Sequence, residues 1–197
     1  MYKRLPYTTL TPGAALYKPD LPLPGHVTMD DPATYVMTDL HNATAFTILA
    51  AASIDAANDK MIACGVRSLF VTDSDGPILG LITASDILGE KPVMFLKEHG
   101  GTRDRIQVQD IMTPRDALEA LRISDIEKAK VGDIVESMKM FGRQHVLVVE
   151  RNPKGSAESV RGIISTTQIG RQLGIEIKPS NEVNTILSMM KFEEPAA

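Results

Sequence analysis

The sequence predicts a mixed α/β fold, of the α+β kind, in which two β-α-β-β-α units pack pseudo-symmetrically. The first observation behind this prediction is a repeated segment. Gly80 leads a short apolar strand that ends in a hydroxyl residue, with a polar residue three positions further on, and Gly162 leads a segment of the same order. The second observation is that the dipeptide Met-Thr at 37–38 recurs at 112–113. Because these echoes are unequally spaced, we expect two units with loops of different length that stack over a shared face.

The first unit shows strand and helix patterns in alternation. Its predicted elements are an opening at 35–39, a strand over 46–49, a helix over 53–65, strands over 69–71 and 78–82 joined by a turn over 73–76, and a helix from 84 to about 99. Ser53 is expected to cap the start of the first helix, and Gly65 is expected to end it. The turn has the aspartate-glycine chemistry of a hairpin.

The second unit repeats this order and is flanked by two further segments. Its predicted elements are an opening over 108–114, a helix over 131–138 that Gly142 ends, strands over 146–149 and 160–164 joined by a turn over 152–156, and a helix from 166 to about 173. Six prolines predict an extended arm that wraps over the folded body, and an amphipathic pattern predicts a terminal helix over 181–192. The predicted organisation is an arm over 1–33, a first repeat over 34–102, a second repeat over 103–174 and a helical tail over 175–197.

Composition indicates an ordinary folded protein of a reducing compartment. Apolar residues make up 43% and charged residues 23% of the 197 residues, as in globular domains. The net charge of −4, with both signs interspersed, argues against nucleic-acid binding as the main purpose. Cys64 is the single cysteine, so no intrachain disulfide can form and a cytoplasmic location is expected. No apolar run reaches the roughly 18 residues that span a bilayer, and neither a signal peptide nor a membrane association is expected.

Three motifs, taken in order and with their repetition, resemble a tandem pair of CBS domains, the pairing known as a Bateman module. They are the Asp-Ile-Met-Thr-Pro opening at 110–114, the segment 65–71 with the turn that follows it, and the glycine-led segment 80–86. The resemblance extends over about 34–174. It implies a regulatory signal-transduction module that binds an adenosyl nucleotide (AMP, ADP, ATP or S-adenosylmethionine) in the cleft between the repeats, without a metal. The ligand-binding positions that it implies are Thr47, Ile48, Val66, Arg67, Ser68, Thr83, Asp86, His145, Ser165 and Gln168.

The chemistry of the two strand–helix junctions supports that implication independently. Thr83 and Asp86 stand at the first junction, and Ser165 and Gln168 stand at the second. An ionised carboxylate can accept both hydroxyls of a ribose, whereas an amide accepts without the help of a charge. A hydroxyl beside the exposed N–H groups of a helix start suits a phosphate. We therefore expect nucleotide binding to be stronger at the first junction, and a helix capping box is the alternative interpretation of both.

Two of the implied positions also have other interpretations. His145 could be a satisfied strand histidine at the interface between the repeats, and Arg67 could pair with Asp73 or Asp75. The four histidines and Cys64 do not have the spacing of zinc ligands, so no metal site is expected.

Three function classes follow from these patterns. A sensor that binds a nucleotide and changes the activity of a partner protein is the expected function. An enzyme is not expected, because the sequence has no nucleophile elbow, phosphate loop or zinc-protease motif. A structural dimerisation module with vestigial sites is the alternative. A homodimer is expected in either case, through helices that bury Ile87, Leu88, Ile134, Val135 and Met138 against a second copy.

Overall fold

The computed structural model describes residues 24–73, 76–142, 144–151 and 158–174. Within them the chain forms β1 (Met37–Asp39), β2 (Thr47–Leu49), α1 (Ile54–Cys64), β3 (Ser68–Thr72), β4 (Ile78–Thr83), α2 (Ala84–Leu88), α3 (Lys91–His99), α4 (Val108–Ile111), β5 (Thr113–Pro114), β6 (Ala120–Arg122), α5 (Ile123–Ile126), α6 (Val131–Phe141), β7 (His145–Arg151), β8 (Glu158–Ser165) and α7 (Thr166–Gln172). Short 3-10 turns cover Ala33–Val36, Arg103–Arg105 and Arg115–Ala117. The mixed α/β fold class is confirmed.

The strands form two four-stranded sheets, and each unit contributes its opening strand to the sheet of the other. One sheet has the order β2-β3-β4-β5 and the other has the order β1-β8-β7-β6. β1 runs antiparallel to β8, with Thr38 opposite Ile163, and β5 runs antiparallel to β4, with Thr113 opposite Leu81. The Met-Thr echo in the sequence therefore marks two equivalent positions at the edges of the two sheets. The sheets do not coincide with the sequence ranges 34–102 and 103–174, because the exchange crosses that boundary.

The glycines that lead β4 and β8 allow this exchange. A Cβ at Gly80 would lie 2.4 Å from the carbonyl oxygen of Thr113, and a Cβ at Gly162 would lie 2.8 Å from the carbonyl oxygen of Thr38. Real Cβ atoms do not approach backbone oxygen so closely. The glycines let the exchanged strands approach.

Each sheet has buried apolar side chains on both faces, and the alternation of side chains along the strands divides them between separate cores. Leu69, Val71 and Ile82 point to the helices that cover the first sheet, while Phe70 and Leu81 point to the other side. The second sheet follows the same rule. Its helix-facing side chains are Val146, Val148 and Ile164, and its opposite face contributes Leu147 and Ile163 to the cluster that holds Phe70 and Leu81. The two sheets thus pack face to face over a shared apolar layer.

The ends of the longer helices follow the sequence expectations. The hydroxyl of Ser53 accepts a hydrogen bond from the backbone N–H of Ala56, which caps α1. Gly65 and Gly142 end α1 and α6 with φ of 65° and 64°, in the left-handed region that glycine adopts without cost. These helix boundaries are confirmed.

Two predicted elements need correction, and one strand was not predicted. The predicted helix from 84 to about 99 is two helices, because Gly89 has a non-helical backbone and Pro92 starts a new first turn in α3. The opening of the second unit contains the helix α4 before its strand. The unpredicted strand is β6, whose three residues pair in parallel with β7. Ser74 and Asp75 of the first predicted turn, the whole second turn over 152–156 and the predicted helix over 181–192 lie outside the described residues.

The described part of the N-terminal arm packs on the second core. The N–H of Val27 donates to the carbonyl of Gln172 at 2.9 Å, and the side-chain amide of Gln172 donates to the carbonyls of Pro24 and Tyr35. Val27 is 7% exposed and belongs to the core behind α6. Residues 1–23 of the predicted arm lie outside the described part of the chain.

Most side chains assigned to a dimer interface are buried inside the chain itself. Ile87, Ile134, Val135 and Met138 are at most 2% exposed and fill the two helix-facing cores. They cannot form a surface between copies, so that part of the expectation is wrong. Leu88 is 71% exposed, and the homodimer itself stays a prediction. In the described part of the chain, no helix combines the length and apolar character that a bilayer span requires.

Candidate functional site

A cavity of about 270 Å³ lies between the two repeats, at the end of the sheets where β4 and β8 meet their helices. Its lining combines segments from both repeats. The residues are Thr38, Leu40, Thr44, Ala45, Phe46, Gly65, Val66, Arg67, Ser68, Phe70, Thr83, Ser85, Gln144, His145, Ile163, Ser165, Thr167, Gln168 and Arg171. In each sheet, strand pairing brings the start of one strand to the strand–helix junction. Ser68 pairs with Thr83 in the first sheet, and His145 pairs with Ser165 in the second.

The structure brings most of the implied ligand positions to this cavity. Those in its lining are Val66, Arg67, Ser68, Thr83, His145, Ser165 and Gln168. The structure does not bring Thr47, Ile48 and Asp86 to it. Thr47 lines a neighbouring, largely apolar cavity that shares three lining residues with the first, and Ile48 packs against the core of the first repeat. The cavity therefore draws on the segment before β2 and not on that strand.

A hydrogen bond between two residues of the cavity lining joins the second junction to the first repeat. The hydroxyl of Thr38 donates to Oε1 of Gln168 at 3.0 Å. The N–H of Gln168 donates to the hydroxyl of Ser165 at 3.2 Å, so Ser165 also caps α7. Thr38 was not predicted as a site residue. The Met-Thr echo marked its position, but only the pairing of β1 with β8 brings it to Gln168.

The first junction has the predicted residues in a different arrangement. Oδ2 of Asp86 accepts the N–H and the hydroxyl of Thr83, both at 2.8 Å, and the hydroxyl of Thr83 accepts the N–H of Asp86. This is the complete capping box that was the alternative interpretation. Oδ1 of Asp86 lies 2.7 Å from Nζ of Lys91, which also donates to the carbonyl of Ile111 at 3.0 Å. Both carboxylate oxygens of Asp86 therefore already have partners, and its side chain is only 13% exposed.

His145 lies between charges of opposite sign at the start of β7. Burial lowers the pKa of its imidazole to about 4, the Asp86 carboxylate opposes that shift, and the Arg67 guanidinium adds to it. The imidazole is therefore neutral at pH 7 and offers one hydrogen-bond donor and one acceptor.

The charged side chains of the lining are all basic. Arg67 lies at the start of the first sheet and Arg171 lies on α7, and both are exposed at the rim. Among the described residues that line the cavity, none is an aspartate or a glutamate. In the described part of the chain, no group of three histidine, cysteine or acidic side chains could hold a metal ion.

An apolar surface accompanies these polar groups. Leu40, Phe46, Val66, Phe70 and Ile163 line the same cavity. A concave site with apolar walls and a few convergent polar groups can bind a flat ring system and orient its polar substituents.

Comparison with known proteins relates the sequence of the first repeat to a protein family, and it relates the fold of the chain to solved structures. Residues 27–92 match the family model of the CBS domain. A conserved protein from Pyrococcus horikoshii, whose crystal structure is known, is 21% identical, with a TM-score of 0.52, over 78% of this chain and 100% of that one. A CBS-domain containing protein from Agrobacterium tumefaciens is 20% identical, with a TM-score of 0.51, over 80% of this chain and 98% of that one.

The crystal structure of CBSX2 in complex with AMP is 18% identical over 72% of this chain and 94% of that one, with a TM-score of 0.47. The bound AMP describes CBSX2 and not this chain. No curated protein matches the sequence of the chain. The family match lies in the first repeat, and the structural matches cover both. Residues 27–92 therefore have the sequence of a CBS domain, and the chain has the fold of these solved structures.

Proposed function

We propose that the protein is a regulatory module that binds an adenine nucleotide in the cavity between its two repeats. CBS-domain proteins are regulatory, and the family match is the reason to start from regulation. The choice of ligand rests on the lining of the cavity, which combines apolar and polar side chains. Apolar side chains such as Phe46 and Ile163 would take the base, while Thr38, Ser165 and Arg67 would take the ribose and phosphate.

The nucleotide would bind at the second junction, contrary to the sequence expectation. Ser165 and Gln168 line the cavity, and the hydrogen bond of Gln168 to Thr38 is between neutral groups. Asp86 is held by its own capping box and by Lys91, so a ribose there would have to displace an ion pair. Displacing the neutral contact costs less free energy.

Ligand binding at this place would couple the two repeats. Thr38 belongs to the exchanged strand of the first unit, and Gln168 belongs to the last helix of the second. A ligand that replaces their mutual hydrogen bond holds both repeats at once and would favour one relative orientation of them. A partner protein that contacts both repeats would detect that orientation. No catalytic step is part of this proposal, no metal is required, and we place the protein in the cytoplasm.

Calorimetric titration with AMP, ADP, ATP and S-adenosylmethionine tests the proposal, with Gln168→Ala and Asp86→Ala as a matched pair. Both substitutions remove the third residue of a helix after its cap. We expect one nucleotide per chain, a loss of about tenfold in affinity for Gln168→Ala from one removed hydrogen bond, and less than about threefold for Asp86→Ala. Absence of binding to all four compounds would refute nucleotide sensing, and a larger loss in Asp86→Ala would move the site to the first junction.

The alternative is a structural module with vestigial sites. The complete capping box of Thr83 and Asp86 favours it, since these residues have a role in helix formation without any ligand. The same titration separates the two functions, because a structural module would bind none of the compounds. Its Asp86→Ala variant would then differ from the wild type in stability alone.

A further inference from the structure

Residues 24–36 form a strap that leads into β1 and packs on the helices of the second repeat. The N–H groups of Val131 and Gly132, in the first turn of α6, donate to the carbonyls of Asp31 and Met29 at 2.8 and 2.9 Å. The first N–H groups of a helix have no partner inside the helix, so the strap supplies acceptors that α6 needs. A segment of the first unit thus completes the start of a helix in the second.

The strap is also tied to the last residue of α7. The N–H of Val27 donates to the carbonyl of Gln172 at 2.9 Å, and the side-chain amide of Gln172 donates to the carbonyls of Pro24 and Tyr35 at 2.9 and 2.8 Å. Because both acceptors of the side chain are carbonyl oxygens, the amide nitrogen must face them, and this fixes the orientation of the side chain. One side chain therefore ties both ends of the strap to α7.

The helix that Gln172 ends also lines the cavity. Thr167, Gln168 and Arg171 of α7 are lining residues, and Gln168 accepts the hydroxyl of Thr38. Thr38 lies two residues after the end of the strap, on β1. The strap is therefore connected to both partners of this hydrogen bond, to one through α7 and to the other along the chain.

The docked strap has a feature that favours its release. Gln172 is 6% exposed, and its Oε1 has no hydrogen-bond partner within the described residues. A buried acceptor without a partner has lost its hydrogen bonds to water, so it opposes docking, and release of the strap would restore them. Thr28, Asp30 and Tyr35 of the strap are exposed, and exposed segments with few buried contacts open with small free energies. The docked and released states are therefore closer in free energy than the hydrogen bonds alone would make them.

We propose that residues 24–36 are a releasable strap, and that its docking on Gln172 keeps α7 ordered and thereby holds the second junction in its present geometry. The link between the strap and α7 needs no ligand, and only its effect on nucleotide binding rests on the proposed function. Because coupling between two sites is reciprocal, a ligand at the second junction would also hold the strap in its docked state. The strap lies at the surface, so its docked and released states present different surfaces to another protein.

Hydrogen exchange of the full-length protein without ligand tests the link between the strap and α7. In Gln172→Glu a carboxylate oxygen replaces the amide nitrogen, and it repels the two carbonyls instead of donating to them. We expect exchange in the strap and in α7 to accelerate by at least about tenfold, because two hydrogen bonds are lost and each is worth up to about that factor. The paired strands β7 and β8, and α2 at the first junction, should keep the rates of the wild type, since a local release leaves them intact.

Two further variants make this test specific. Gln109→Glu is the matched control, because Gln109 is exposed on α4 and undergoes the same chemical change. Its exchange should equal that of the wild type in the strap and in α7. Val27→Ala provides the test if Gln172→Glu does not fold, because it adds no charge and only shortens an apolar side chain that is 7% exposed. It should accelerate exchange in the same segments by a smaller factor.

Two outcomes of the exchange experiment would overturn the inference. If exchange accelerates in the strap and stays unchanged in α7, the strap does not keep that helix ordered. If β7 and β8 accelerate as much as the strap, the strap opens only with the whole repeat and is not releasable.

A titration with AMP and ATP separates the inference from the proposed function. If the wild type binds either nucleotide, Gln172→Glu should bind it about fivefold less tightly, and the bound nucleotide should slow exchange in the strap. Equal affinity in both proteins would refute the step from α7 to the cavity, while nucleotide binding would stand. If the wild type binds neither nucleotide, the proposed function is refuted, and exchange without ligand still decides whether the strap keeps α7 ordered.

Discussion

Replacing Gly80 or Gly162 with alanine should force the exchanged strands away from the sheets that they join. The new Cβ would lie 2.4 Å from the carbonyl of Thr113 in the first case and 2.8 Å from the carbonyl of Thr38 in the second. Overpacking costs typically 1–3 kcal/mol, and the cost lies near the upper end of this range when the obstacle is backbone. The unfolded state loses entropy with alanine, which offsets about 0.4–1 kcal/mol. We therefore expect a net loss of about 2 kcal/mol in the free energy of unfolding, larger for Gly80→Ala.

Urea denaturation followed by circular dichroism measures this loss. With a slope of about 2 kcal/mol per molar urea, the midpoint should fall by roughly 1 M in either variant. Gly25→Ala is the control, because a Cβ at Gly25 would meet nothing within 4 Å. A midpoint for Gly80→Ala as high as that of Gly25→Ala would refute the reasoning.

The two glycine variants should also differ in ligand binding under native conditions. Gly162→Ala acts on the strand that carries Thr38, so the contact with Gln168 is lost and nucleotide affinity should fall. Gly80→Ala acts on the strand that carries Thr113, which is outside the cavity lining. Its nucleotide affinity should stay close to that of the wild type, and an equal loss in both variants would place the ligand elsewhere.

Two predictions concern the dependence of stability on pH. The Arg161 guanidinium donates to both oxygens of Asp39 at 2.8 Å and lowers the pKa of that carboxyl to about 2. The pair therefore stabilises the fold fully above pH 4, and this contribution disappears as pH falls toward 2. Asp39→Asn should cost about 2 kcal/mol at pH 7 and almost nothing at pH 2, measured by urea midpoints, and equal costs at both would contradict the pairing. Burial lowers the pKa of His145 from 6.5 to about 4. As pH falls from 6.5 to 4, the unfolded chain therefore takes up a proton that the folded chain does not, and the free energy of unfolding should fall by up to about 3 kcal/mol. In His145→Gln the midpoint should be flatter across this window, and an unchanged slope would show that other groups titrate there.

The fold was largely predictable because its longer elements carry strong local patterns. The apolar runs of β3, β4, β7 and β8 and the glycine ends of α1 and α6 were visible in the sequence. The exchange of β1 and β5 was not, because strands of three and two residues are too short to show which sheet they join. The break between α2 and α3 had a local signal, since Gly89 and Pro92 both disfavour a continuous helix. The helical pattern on either side of them masked it.

The site was predictable only where a motif carried it. Ser165 and Gln168 were found from the repeated segment, and both line the cavity. Thr38, Thr44 and Arg171 were missed, because tertiary packing alone brings them to the junction, even though the Met-Thr echo marked the position of Thr38. Such residues leave no periodic signal in a sequence, because they come from edge strands, loops and the far end of a helix.

The difference between the two junctions comes from neighbouring elements and not from the motif itself. Each junction pairs a capping hydroxyl with a polar residue three positions on, so local chemistry alone favoured the one with a carboxylate. That carboxylate attracts Lys91 from the next helix, whereas the uncharged Gln168 takes a hydroxyl from Thr38 on the exchanged strand. A charge-assisted contact is worth roughly 1 kcal/mol more than a neutral one, less some screening because Lys91 is 44% exposed. The charge of Asp86 would have favoured a ribose, but it holds Lys91 instead, so a ligand at the first junction must displace that ion pair. At the second junction a ligand must displace only the neutral hydrogen bond of Gln168, which costs less free energy.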